Sequence, residues 1–91
     1  MHEVKVELEY PVTMPNGETV AQLTMRRLKA RDVVAAEAAV KTGESARGIY
    51  TMSLLCGVEP NVIEELDMSD FGRMQEIAQG FLSSKRKTAG A

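Results

Sequence analysis

The chain has 91 residues, 44% of them hydrophobic and 26% charged, with a formal net charge of −2. A chain of this length makes one domain and buries roughly 60–68% of the surface its unfolded form exposes, so a deep enzyme pocket would compete with the core for the same apolar residues. The slight negative charge gives no general attraction to nucleic acid or anionic membrane, and a single cysteine, Cys56, excludes an internal disulfide.

Residues 4–10 alternate: Val4, Val6, Leu8 and Tyr10 on one side, Lys5, Glu7 and Glu9 on the other. This period of two predicts a strand with one wet face, limited by Pro11. Met14-Pro15-Asn16-Gly17 is the strongest turn signal, because Asn and Gly tolerate the positive φ of a tight turn. Residues 18–26 then alternate again, with Ala21, Leu23 and Met25 against Gln22, Thr24 and Arg26, which predicts a second, antiparallel strand.

A lone hairpin is marginal in water and must lay its apolar face on something. Asp32 is read as the cap of an Ala-rich helix reaching about Lys41 and ended by Thr42-Gly43. Residues 44–57 predict a second helix with a broad apolar face (Ile49, Met52, Cys56, widened by Tyr50, Leu54 and Leu55), expected to be the most buried, with Gly57 as its stop and Pro60 beyond the break. Residues 61–66 predict one short helical turn. Asp67 or Ser69 is then expected to cap the last helix, whose apolar positions include Phe71, Met74, Ile77, Ala78 and Phe81, with Leu82 closing the pattern. The expected architecture is α+β: an N-terminal β-hairpin packed against about three helices, one domain over residues 1–83, then a flexible basic tail over residues 84–91.

The residues offer little chemistry. The only histidine, His2, stands at a terminus, with no scaffold to set it against a nucleophile. Cys56 lies on an apolar stripe, where a thiol acts as a small hydrophobe. One His and one Cys make no zinc site, and Glu64, Glu65, Asp67 and Asp70 match no calcium loop and read instead as acids at helix starts. No phosphate-cradling glycine pattern is present. Arg26, Arg27, Lys29 and Arg31 form a basic run at the strand–helix junction, read either as a nucleic-acid patch or as a solvated junction facing the acids of the first strand. Six methionines in so short a chain suit an adaptable binding surface as well as an irregular core. The balance points to a protein that binds another protein, not to an enzyme, with no cofactor and no metal.

Three segments carry a resemblance. The first is Tyr10-Pro11, then Asn16-Gly17, Val20 and Leu23, Arg27-Leu28 and Asp32; the second is IYTMSLLCGV over residues 49–58; the third is IEELDMSD over residues 63–70, running into the helix that closes with Gly80-Phe81-Leu82. In this order and spacing the chain resembles the small tail assembly chaperones of contractile-tailed phages and Mu-like prophages, proteins encoded just ahead of the tape measure protein. The resemblance implies that the chain binds the tape measure protein, covering its apolar stripes by a helix-in-groove mode, and that tail tube proteins later displace it. It further implies a longer form made by ribosomal frameshifting, and action in the host cytoplasm, absent from the mature virion. Partner-binding residues are expected on the last helix: Met74 and Phe81 first, with Phe71, Ile77 and Met68. An exposed hairpin edge offers a route to a homo-oligomer. The alternatives are a small DNA-associated regulator using residues 26–31 and the basic tail, and a minor structural tail component; no nucleic acid or membrane partner is expected on the main reading.

Overall fold

A computed structural model describes residues 3–83; His2 and the basic tail over residues 84–91 lie outside the described part. The elements are β1 (Glu3–Thr13), β2 (Thr19–Arg26), α1 (Ala30–Ala39), α2 (Glu44–Cys56), α3 (Pro60–Glu64) and α4 (Met68–Ser83). The α+β class is as expected, with a two-stranded antiparallel sheet and four helices, the third a short turn.

The hairpin turn follows from its chemistry. Gly17 takes φ 94°, its N–H donates to the Met14 carbonyl, and the Glu18 N–H donates to the Asn16 side chain at 2.9 Å. Pairing is regular from Glu3↔Arg26 to Glu7↔Gln22 and resumes at Val12↔Val20. Between them β1 bulges, with residues 8–11 set against Ala21 alone. The bulge changes the expected alternation: Val6, Leu8 and Val12 are buried, but Tyr10 is 57% exposed. Pro11 does not end the strand, since in a bulge its missing N–H removes no ladder bond. On β2, Leu23 and Met25 face inward, while Ala21, opposite the bulge, is exposed.

Asp32 is not the residue before α1, as expected, but sits within its first turn. Its carboxylate reaches back to accept the Lys29 N–H at 2.8 Å and receives both arms of the Arg26 guanidinium at 2.9 and 2.8 Å. This fork-to-fork pair ties the end of β2 to the start of α1. The carbonyls of Val40 and Lys41, just past the end of α1, accept from the Arg47 side chain on α2. Gly57 ends α2 in the left-handed region at φ 68°. Pro60 opens α3 at a position where a missing N–H is harmless. Asp67 caps α4, its carboxylate accepting the Ser69 N–H at 3.0 Å.

The core joins one face of the hairpin (Val6, Leu8, Leu23, Met25) to Met52 and Leu55 of α2, Ile63 of α3 and Met74 of α4. α2 packs on α1, α3 and β2, as its broad apolar face predicts, and α4 packs on β1. No buried side-chain nitrogen or oxygen among the described residues lacks a hydrogen-bond partner. No described helix is long and apolar enough to cross a membrane.

Candidate functional site: the cleft between α2 and α4

α2 and α4 lean on different partners and do not pack closely on each other. Two open depressions lie between them. One, of about 370 Å³, is lined by Gly48 and Ile49 of α2, Ile63 of α3, Leu66 of the following turn, and Met68 and Phe71 of α4, with the carboxylates Glu44 and Glu64 also on it. The other, of about 290 Å³, is lined by Leu28, Thr51, Leu55 and Ala78 among others. Gly48 and Gln75 line both, so the two form one trough running along the pair of helices.

Gly48 sits inside a 13-residue helix, where glycine costs about 1 kcal/mol against alanine; a Cβ there would meet nothing within 4 Å, so the position opens onto space. Met68 stands at the start of α4 and is 73% exposed, a long flexible side chain on the lip. The apolar walls of the trough are interrupted by Ser45, Thr51, Gln75 and Gln79, and it is charged at one end only: Glu44 and Glu64 lie at the Met68 end, and the Leu28 end has no charged lining residue.

The residues expected to bind a partner divide. Met68 and Phe71 meet in the trough. Phe71, Ile77 and Phe81 are all half-buried and pack against the core, and of the three only Phe71 also lines the trough. Met74 is 0% exposed: it stands on the inward face of α4, within the core cluster. The Arg27 guanidinium lies 5.3 Å over the Phe81 ring and donates to the Phe81 carbonyl at 3.2 Å, which holds the end of α4 against the strand–helix junction. Of the basic run, Arg26 and Arg27 thus serve internal contacts, and Arg26 faces Asp32, not the first strand's acids.

Sequence reasoning missed the α2 and α3 walls of this site. The available signal was Gly48, a glycine in the middle of an otherwise sound helical pattern. It also missed the special role of Asp70. This carboxylate is in the first turn of α4 and is fully buried; it accepts the N–H groups of Glu9 at 3.0 Å and Tyr10 at 3.1 Å and pairs with Arg73. Asp70 therefore clamps α4 onto the bulge of β1. Burial pushes its carboxyl up, but the two backbone donors and the Arg73 guanidinium outweigh burial and hold it below the usual carboxylate range. The Asp32 carboxyl is likewise held low, chiefly by Arg26. Burial pushes the Cys56 thiol up to about 11, which keeps it protonated and unreactive near neutral pH. Among the described residues no group of His, Cys, Asp and Glu could hold a metal ion.

The lining of the trough is mainly apolar, with the carboxylates Glu44 and Glu64 at one end. No curated protein matches the chain, and no solved structure does. A family model does, over residues 5–83, from the first strand to the end of α4: the family described as "Phage tail assembly chaperone proteins, E, or 41 or 14". The chain belongs to the family of phage tail assembly chaperones.

Proposed function

We propose that this chain binds the tape measure protein of its phage or prophage and keeps it soluble until tail tube proteins assemble around it, acting in the host cytoplasm without catalysis. The observation that carries the reading is the family match, which takes in both strands and all four helices. The open apolar trough supports it, because a long amphipathic protein waiting to assemble needs its stripes covered reversibly, and a shallow trough with a flexible methionine on its lip suits reversible cover.

Co-expression with the long, coiled-coil-rich protein encoded immediately downstream tests this. The expected result is that the long protein stays in the soluble fraction and co-purifies only when this chain is present. A long protein that is equally soluble alone and does not co-purify refutes the reading. Purified particles offer a second check: a chaperone is absent from them, and a minor structural tail component is present.

A further inference from the structure

We propose that the trough between α2 and α4 accepts a single amphipathic helix of about three turns, carrying lysine or arginine at one end of its apolar stripe. The proposal rests on the chaperone reading for the identity of the partner, but its geometry is independent of it. Three features carry it.

The first is length. The trough follows α4 from Met68 to Gln79, which at 1.5 Å per residue is about 16 Å, or three helical turns. The second is shape. The trough is open along its length and bounded by two helices that do not pack closely on each other, so a third helix laid between them buries one stripe against both. Gly48 at the midpoint lets that helix approach closely. The third is charge. Glu44 and Glu64 are exposed, both stand at the Met68 end, and no lysine or arginine lines either depression. A helix with a basic end is attracted and oriented by them, and one with an acidic end is repelled. The rival occupant is α1 of a second copy, a 10-residue helix that exposes Val33 at 47% and Val34 at 66%; it carries both Arg31 and Glu37 beside those valines, and this mixed charge suits the acidic end less well than a stripe whose end is basic alone.

The test uses the full chain and two fluorescein-labelled synthetic helical peptides with one shared apolar stripe, one with a lysine pair at an end of the stripe and one with a glutamate pair there. Fluorescence anisotropy at low salt is expected to show the lysine peptide binding about fivefold more tightly or better, since two partly screened charge pairs contribute roughly 1 kcal/mol together. In Glu44→Lys/Glu64→Lys the preference inverts. In Gly48→Leu, with native circular dichroism, both peptides lose about tenfold, because the new side chain fills the midpoint. Equal binding of both peptides to the parent chain, a preference that survives the double charge reversal, or a concentration-dependent dimer that Gly48→Leu abolishes each overturns the proposal. Should Gly48→Leu not fold, the charge reversal at two exposed positions still decides. The tape measure assay separates the two readings. Retention of the long protein by Gly48→Leu at the parent level sinks the trough and leaves the chaperone function standing. Peptide binding as expected, with no effect on the long protein, upholds the trough and sinks the chaperone function.

Discussion

Replacing Asp70 by asparagine tests whether one buried carboxylate holds the last helix to the hairpin. The exchange keeps the size of the side chain and changes only its charge and one acceptor. Asp70 uses its two oxygens separately, one for the Glu9 N–H and one for the Tyr10 N–H. An asparagine has one oxygen and one NH₂, so whichever way it turns, one of those amides faces another donor. Losing the acceptor of a buried donor costs about 1–3 kcal/mol, and the bonds that remain lose their charge assistance. The expected loss is about 3 kcal/mol, a large part of the 5–15 kcal/mol of a typical domain. Urea unfolding followed by circular dichroism should show the midpoint falling by about 1–3 M. Arg73→Gln is the control: the Arg73 side chain is 47% exposed, so its removal is expected to cost about 0.5 kcal/mol after solvent screening. If Asp70→Asn stays within about 0.5 kcal/mol of the parent chain, the clamp contributes little and the argument from the two amides is wrong.

Acid should weaken the parent chain in a defined window. Asp70 and Asp32 are both held below the usual carboxylate range, so in the range just below it the unfolded chain binds more protons than the folded one and stability rises with pH. Their contribution is complete above about pH 5 and is lost progressively below about pH 4; unfolding followed against pH should show this, with a shallower acid limb in Asp70→Asn. Gly57→Ala should cost about 1 kcal/mol in thermal unfolding, wholly through the positive φ, because a Cβ there meets nothing within 4 Å. Cys56 should react slowly with a thiol reagent at pH 8 and quickly once urea unfolds the chain, since burial holds its thiol up at about 11; equal rates in both states would remove it from the apolar stripe. Met74→Ala should cost about 3 kcal/mol by opening a cavity, whereas Met68→Gln should leave stability within about 0.5 kcal/mol; the same urea assay compares them.

The amino-acid sequence by itself determined the elements of this protein, because local patterns govern them. The alternation that begins at Val4, the Asn16-Gly17 turn, Gly57 as a helix stop and the spacing of Phe71, Met74, Ile77 and Phe81 each depend only on neighbours a few residues away, and each reappears in the structure, the alternation as far as Leu8. The order and spacing of three short segments were likewise enough to indicate the family that the match over residues 5–83 shows. What only the tertiary structure decided is which side of each pattern meets which neighbour. Periodicity placed Met68 and Met74 alike among an amphipathic helix's partner contacts, yet one is 73% and the other 0% exposed. It set Tyr10 with Val6 and Leu8, and the bulge turned it out. It took Asp70 for a helix-start acid alone, whereas the carboxylate accepts from Glu9 and Tyr10, some 60 residues away along the chain. The trough is of the same kind: its walls come from α2, α3 and α4, and a gap between elements appears only once they are packed, because no residue's own propensity records the space beside it.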